Sequence, residues 1–333
     1  MSRPSTGFRR LALGTAVAPY ALILVGGVVR VSDSGLGCGP AGSGLNGWPF
    51  CNGDLVPGLE LNSIIEYSHR ALAGIVGLLM IALAVLAFRR YRGHRGLVRA
   101  TVAAVVLVIA QGLLGAATVE KDLDERLVAS HLALAMALLA LMAYIWRASK
   151  TENIGAEPAD GGPRFRGLSI VSSGAILCTI IAGGYMAGTQ NYGRADYQPG
   201  YGAHHACGKE FPTCNGDFLP FGQARLVDIH LTHRVFMYLA SILVVMLIVL
   251  ALRRRPSAGV VRSARLAAGL LGAQILVGAL NVWLDEYEAL ILLHLALGPL
   301  LWATLVGLTL QLYRVSAPAE SHAGASRAEA LTA

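Results

Sequence analysis

Four histidines are the residues most able to carry chemistry in this sequence: His69, His131, His233 and His294. Each lies only a few residues inside a long apolar run, and ionisable residues in such runs usually serve a function. Their surroundings repeat, because YSHRALAGIV is matched by LTHRVFMYLA and HLALAMALLA is matched by HLALGPLLWA. The repetition favours two pairs of ligands over four hydrogen-bonded core histidines.

Paired imidazoles could bind zinc, copper or haem iron. Zinc usually takes three or four protein ligands, often with a carboxylate or a thiolate. Copper would be favoured by methionine or cysteine at helical spacing from these histidines, and only His233 has one, Met237. Two opposed imidazoles in a helical bundle lined by glycine, alanine and leucine suit haem, whose iron takes axial histidines. The residues therefore favour a haem protein.

The elements that must position these histidines are membrane-spanning helices. The chain has 333 residues, of which 55% are hydrophobic and 14% charged, whereas a soluble domain has about 25% charged residues. Eight apolar runs are each close to the ~20 residues that cross a bilayer as a helix. They lie at about 13–31, 64–88, 98–118, 127–146, 167–188, 230–252, 264–284 and 289–313.

The basic residues predict how these helices are oriented. The formal net charge of +7 is carried mainly by arginines that cluster before the first run, in alternate connections and after the last run. This distribution is typical of cytoplasmic loops and argues against nucleic-acid binding. It places both termini in the cytoplasm and the cysteine-containing loops outside. Arg9, Arg10 and the following apolar stretch imitate a signal peptide, but we expect the first run to remain as a span.

The chain is predicted to be a tandem repeat. His69 and His233, Gln111 and Gln274, His131 and His294, and the segments FCNGDLVP and TCNGDFLP recur at an offset of 163 or 164 residues. Because each half holds four spans, the two halves have the same orientation. We predict an all-α membrane protein of two tandem four-helix bundles related by a pseudo-two-fold axis along the membrane normal. The predicted domains are residues 1–150 and 167–314, joined by a cytoplasmic linker at 151–166 and followed by a disordered tail at 315–333.

The two halves differ beside their first histidine. Glu66 lies three residues before His69, so both share one helical face, and the counterpart of Glu66 is His230. Glu66 could be an interfacial residue, or it could act as a base or stabilise positive charge in a reaction. This difference assigns catalysis to the N-terminal half, with His230 as a neighbour of its ligand site. Arg70 and Arg234 are either snorkelling arginines or partners of haem propionates.

Four cysteines lie in the two outer loops. Cys38 and Cys51 lie in the first, and Cys207 and Cys214 in the second, each pair ending in a CNGD segment. An oxidising compartment favours disulfides, with Cys38 paired to Cys51 and Cys207 to Cys214. Zinc is the alternative, although the intervals differ from the usual C-x₂₋₄-C spacing.

Several other polar residues are predicted to lack a chemical role. Cys178 lies within the fifth run and is interpreted as a small buried hydrophobe. His94 and His322 are interpreted as solvated surface histidines. Gln111 and Gln274 are expected to form hydrogen bonds between helices.

The sequence resembles haem A synthase over about residues 13–313. The resemblance rests on GGVVRVSDSGLGC, WPFCNGDLVP, EYSHR and its repeat LTHR, and the helices of His131 and His294. It implies that a methyl group of haem O is oxidised to the formyl group of haem A by successive hydroxylations, with an oxygen atom derived from water. It also implies that His69 and His131 flank the substrate haem and that His233 and His294 hold a haem b cofactor. The segment GPAGSGLNG makes the first cysteine interval longer than is usual in that family.

This resemblance and the residues lead to one functional prediction and two alternatives. We predict an enzyme of the bacterial inner membrane that supplies haem A to terminal oxidases. Its expected partners are haem O, membrane lipid, haem O synthase, oxidase assembly factors and a second copy of the chain. The alternatives are a diheme b-type electron-transfer protein, which needs no asymmetry between Glu66 and His230, and a haem transporter, in which broken helices at mid-membrane are expected.

Overall fold

A computed structural model describes residues 4–150, 157–190, 201–285 and 287–314. These residues form eight long helices, all apolar enough and long enough to cross a membrane. The helices are α1 (Thr6–Val31), α2 (Leu61–Arg90), α3 (Arg95–Glu120), α4 (Glu125–Ser149), α5 (Gly162–Gly188), α6 (Arg225–Arg254), α7 (Ala258–Trp283) and α8 (Glu288–Leu310). The prediction of an eight-helix membrane protein is confirmed.

Local sequence signals explain where several helices begin and end. The side chains of Ser5, Asp124 and Ser257 accept hydrogen bonds from backbone N–H groups in the first turns of α1, α4 and α7. Such caps satisfy donors that have no partner within the helix. Pairs of arginines occupy the last turns of α2 and α6, where positive charge complements the helix dipole.

The helices pack as two groups of four. In the first group α1 contacts α2 and α4, and α3 contacts α2 and α4; α5 to α8 repeat this arrangement. Each group has an apolar core, with Met80 and Met142 in the first and Leu247 and Leu305 in the second. These core residues lie toward the helix ends away from the cysteine loops. The four histidines of the repeat and their polar neighbours lie instead at the helix ends near the cysteine loops.

The two groups meet through four central helices. Helix α1 contacts α8, and α4 contacts both α5 and α8. The Trp302 indole N–H donates to the Met136 carbonyl at 3.2 Å, and the Tyr20 hydroxyl donates to the Ala296 carbonyl at 3.3 Å. Both bonds cross from one half to the other and satisfy polar groups that lipid could not.

Each cysteine loop is closed by a disulfide bond. The bonds join Cys38 to Cys51 and Cys207 to Cys214, so the predicted pairing is confirmed. In both loops the asparagine of CNGD has a positive φ, 53° at Asn52 and 51° at Asn215, a conformation that asparagine tolerates well. In each loop the backbone of the second cysteine forms an antiparallel β-bridge with the aspartate of its CNGD segment. The repeated sequence therefore forms the same turn twice.

Two residue interpretations were wrong, and one boundary shifts. Cys178 is exposed rather than buried, because its face of α5 points away from the bundle. His94 is buried against Tyr91, and burial lowers the pKa of its imidazole below the usual value. The predicted linker at 151–166 is partly helical, since α5 begins at Gly162. The described residues do not include linker residues 151–156 or the tail at 315–333, which contains His322.

Candidate functional site

The four histidines lie near the helix ends that adjoin the cysteine loops. His69 is on α2, His131 on α4, His233 on α6 and His294 on α8. The rings of His69 and His131 are close enough to interact electrostatically, and so are those of His233 and His294. The fold therefore brings the predicted pairs together within each half.

The ring nitrogens of these histidines suit metal ligation. The Nδ1–H of His233 can donate to the Thr179 carbonyl at 3.0 Å, an arrangement that fixes a ligating imidazole and leaves Nε2 for the metal. The buried Nδ1 atoms of His69, His131 and His294 have no hydrogen-bond partner among the described residues. A ring that binds iron through Nε2 commonly donates its Nδ1–H to the protein, and within the described residues His233 alone of the four makes that bond. Two buried imidazoles in each half remain a donor set that fits axial ligation of haem.

The two glutamines adjoin the second histidine of each pair. The Gln111 amide donates to the His131 carbonyl at 2.9 Å, and Nε2 of Gln274 lies 3.2 Å from Nε2 of His294. Both contacts join α3 to α4 or α7 to α8, as predicted for hydrogen bonds between helices.

Four glycines face the histidine rings, and the sequence analysis did not identify them. A methyl group at Gly26, Gly115, Gly183 or Gly278 would lie 3.1, 3.2, 3.0 or 2.9 Å from Cε1 of His69, His131, His233 or His294, respectively. These distances are shorter than an optimal carbon–carbon contact of about 3.5–4.0 Å. The repeated GG and QxxxG spacings, in GGVV and GGYM and in QGLLG and QILVG, were the signal that could have found them.

Glu66 connects its helix to the first cysteine loop. Its side chain is buried, with 3% of the residue exposed. One carboxylate oxygen is paired with the guanidinium of Arg70, and the other accepts the backbone N–H of Cys38 at 2.7 Å. Arg70 also donates to the carbonyls of Gly47 and Phe50. Glu66 and Arg70 therefore hold the disulfide loop against α2, beside His69.

The equivalent position in the C-terminal half has a different chemistry. The ring Nδ1 of His230 is 2.7 Å from the Ala203 carbonyl, so an imidazole nitrogen replaces the carboxylate. Arg234 is buried and donates to the carbonyls of Glu210, Pro212 and Thr213. Both arginines thus fasten their own cysteine loop. The contact of Arg70 and Arg234 with haem propionates stays a prediction.

A further histidine, His204, reaches the same region of the C-terminal half. It lies in a short 3-10 helix, Ala203–Cys207, in the second cysteine loop. Burial, with a smaller effect from nearby Arg30, holds the pKa of this imidazole well below its usual value. Arg30 comes from the other half of the chain and donates to the Ala187 carbonyl and to Gln190. Because these contacts join distant segments, periodicity in the sequence could not reveal them.

No group of three or more His, Cys, Asp or Glu side chains is placed to hold a metal ion within the described ranges. The cysteine pairs form disulfides, so they do not supply thiolates for zinc. The geometry therefore favours paired axial histidines over a multidentate metal site.

Comparison with known proteins identifies related chains. The family described as cytochrome oxidase assembly protein, COX15-CtaA, matches residues 60–306. A protein named heme A synthase from Alkalihalophilus pseudofirmus is 28% identical over 91% of this chain and 96% of its own. Proteins of the same name from Halalkalibacterium halodurans and Symbiobacterium thermophilum are each 29% identical, over 72% and 82% of this chain and 74% and 84% of theirs. None of these three is named as an electron carrier or a transporter, so the alternative functions gain no support.

Proposed function

The chain belongs to the COX15-CtaA family of cytochrome oxidase assembly proteins, and we propose that it is a haem A synthase. In this proposal it is a multi-pass membrane enzyme that oxidises a methyl group of haem O to the formyl group of haem A. Two successive hydroxylations give a gem-diol, which loses water to form the aldehyde. If water supplies the oxygen, each hydroxylation releases two electrons and two protons that an acceptor must take up.

The observation that carries the proposal is the difference between positions 66 and 230. Both lie three residues before a histidine that is close enough to a second histidine of the same half to interact with it electrostatically. Only the N-terminal half has a carboxylate there, and that carboxylate is buried and fixed by Arg70 and Cys38. A site that oxidises a substrate uses such a charge, whereas a site that only transfers electrons does not.

This difference assigns roles to the two histidine pairs. His69 and His131 would flank the substrate haem in the N-terminal half, within residues 1–150. His233 and His294 would hold haem b in the C-terminal half, within residues 167–314. When bound there, haem b would supply one-electron transfer. The Thr179 carbonyl supports this assignment, because it orients the ring of His233 for ligation.

The contacts of Glu66 favour one of its two possible roles. Both of its oxygens accept hydrogen bonds, as expected of an ionised carboxylate, which has no donor. A fixed negative charge would stabilise positive charge that develops at the haem methyl group during oxidation. We therefore propose that Glu66 stabilises charge, with proton abstraction by the same ionised carboxylate as the alternative role.

Location and partners belong to the same proposal. The arginine-rich ends of α2 and α6 would face the cytoplasm, and the disulfide loops would face the oxidising side. A haem O synthase would supply the substrate, and oxidase assembly factors would receive the product. A second copy of the chain is also a candidate partner.

The proposal is tested by producing the full-length chain in a bacterial host that makes haem O but no haem A. Haems are then extracted from the membranes and separated by chromatography. We expect haem A with this chain and none with a variant carrying both His69→Ala and His131→Ala. Extracts that contain only haem O and haem B with the unchanged chain would overturn the proposed activity.

A further inference from the structure

Two pairs of adjacent glycines contact both halves of the molecule. These twin glycines are Gly26–Gly27 on α1 and Gly183–Gly184 on α5. The first glycine of each pair faces a histidine of its own half: a methyl group at Gly26 would lie 3.1 Å from His69, and one at Gly183 would lie 3.0 Å from His233.

The second glycine of each pair faces the opposite half. A methyl group at Gly27 would lie 3.1 Å from the side chain of Leu295, and one at Gly184 would lie 2.9 Å from that of Leu132. Leu295 directly follows His294, and Leu132 directly follows His131. Each second glycine therefore packs against the helix turn that carries the second histidine of the other half.

Helical geometry explains why two adjacent glycines can contact opposite halves of the molecule. Consecutive side-chain positions on an α-helix are separated by about 100° around the axis, because a turn contains 3.6 residues. One glycine can thus face its own bundle while the next faces the neighbouring bundle. Since α1 contacts α8 and α5 contacts α4, both central helices are placed to use this geometry.

We infer that the twin glycines are positioning residues that set the ring orientation of His69 and His233 and, across the interface, the placement of His294 and His131. Each histidine pair would then depend on a helix from the other half. The buried Nδ1 atoms of His131 and His294 have no hydrogen-bond partner among the described residues, and the Gln274 contact to His294 is at Nε2, the nitrogen that would bind iron. With iron at Nε2, packing from Gly115 and Gly278 and from the twin glycines would restrain these rings. This inference rests on the proposed haem ligation.

The inference makes a prediction that crosses between the halves. Gly27→Ala lies in the N-terminal half, but it should shift the turn of His294 and so alter haem b. Gly184→Ala lies in the C-terminal half, but it should disturb the turn of His131 and so weaken binding of haem O. Gly183→Ala should alter haem b through His233, and Gly26→Ala should disturb the substrate site through His69.

Matched controls lie on the same helices. A methyl group at Gly14 on α1 or at Gly174 on α5 would have no neighbour within 4 Å. Alanine also favours the helix more than glycine does, so Gly14→Ala and Gly174→Ala should leave both sites unchanged. Any effect at the twin glycines then cannot come from a weaker helix.

The experiment uses full-length protein in membranes. Haem b is examined by electron paramagnetic resonance in its oxidised state and by measurement of its reduction potential. Binding of haem O is measured by optical titration. We expect changed g values or loss of haem b in Gly27→Ala and Gly183→Ala. Weaker haem O binding with an unchanged haem b spectrum is expected in Gly26→Ala and Gly184→Ala. Spectra and titrations equal to those of the two controls would overturn the inference.

A compensating change keeps the test decisive. If Gly27→Ala is not recovered in membranes, Leu295→Ala is added to remove two of the three atoms that the new methyl group would meet, including the nearest. Recovery of the double variant with the haem b spectrum of the unchanged chain supports the inference, and failure to recover it overturns the inference.

The histidine variants distinguish failure of this inference from failure of the proposed ligands. Loss of haem b in His233→Met and His294→Met, together with glycine variants that match the controls, would refute this inference alone. Retention of haem b in both histidine variants would refute the proposed ligands.

Discussion

Glu66 shows how one residue can distinguish two halves that otherwise repeat. Its repeat counterpart, His230, also bonds to a cysteine loop, through the Ala203 carbonyl instead of a backbone N–H. The structural task of holding the loop is therefore common to both positions. The negative charge is the property that only Glu66 contributes, and it lies on the helix of His69, one turn away.

Glu66→Gln removes this charge and keeps the shape of the side chain. We expect the variant to fold, to retain haem b and to lose about 100-fold or more of its rate of haem A formation, as when one preorganised electrostatic group is removed from a site. Accumulated alcohol intermediate should be visible when extracted haems are separated. Glu66→Asp should retain part of the activity, because the charge is withdrawn by only one methylene.

The matched control is Glu60→Gln, because Glu60 is an exposed acid just before the same helix. It should form haem A at the rate of the unchanged chain. If Glu66→Gln did so as well, the carboxylate would have only a structural part in holding the loop, and the proposed charge stabilisation would be wrong.

His233 and His294 permit a spectroscopic prediction at the same scale. If these residues are the proposed axial ligands, replacing either with methionine should make the low-spin signal of reduced haem b disappear or shift in the optical spectrum. His94→Met is a suitable control, because His94 lies in the connection before α3, at the helix ends away from the cysteine loops. Unaltered spectra in both ligand variants would exclude these two residues as the axial pair.

The disulfide loops show how an element supports the site. Each loop is fixed to a helix by a buried or partly buried arginine, Arg70 in the first half and Arg234 in the second. The first loop is also fixed by the bond from Cys38 to Glu66. Opening the first loop should therefore disturb the carboxylate, whereas opening the second should disturb no group proposed to act on the substrate.

Serine replacement of each cysteine pair tests this difference. We expect both changes to lower thermal stability, since removal of a native disulfide typically costs about 2–5 kcal/mol. Cys38→Ser with Cys51→Ser should also reduce haem A formation severalfold more than Cys207→Ser with Cys214→Ser. Cys178→Ser, at an exposed free cysteine, should change neither property. Equal losses of activity from the two pairs would show that the first loop has no special link to the substrate site.

At the scale of the whole molecule, the two halves are interlocked. Besides the central helices, Arg225 at the start of α6 pairs with Glu125 at the start of α4 at 2.6 Å. Arg30 of the first half bonds to the last turn of α5. Both contacts lie on the side of the cysteine loops, so the region that contains the four histidines is joined across the interface.

Orientation in the membrane is testable at this scale. Arg92 and Lys121 are exposed in the connections after α2 and after α3, which the positive-inside rule places on opposite sides. In a Cys178→Ser background, Lys121→Cys should react with a membrane-impermeant thiol reagent in intact spheroplasts. Arg92→Cys should react only after the membrane is permeabilised. The reverse pattern would invert the proposed topology.

The sequence by itself determined the elements and their correspondence. Long apolar runs cross a bilayer only as helices or closed barrels, so length and hydropathy predicted all eight spans. The repeat offset matched each histidine of the first half to one of the second half, and the matched CNGD segments predicted both disulfides. These features were predictable because they depend on local composition or on identity between equivalent positions.

Only the tertiary structure decided which faces of the helices meet. A membrane helix can be apolar on every side, so hydropathy did not distinguish the exposed face of Cys178 from the buried faces that pack in the core. Nor did it reveal the burial of His94 or the carbonyl contacts of Arg70 and Arg234. The repeated GG and QxxxG spacings mark the glycines in the sequence, but the fit of each glycine to a histidine ring arises from the distance between two helices. That distance is set by packing over the whole bundle, and no single segment encodes it.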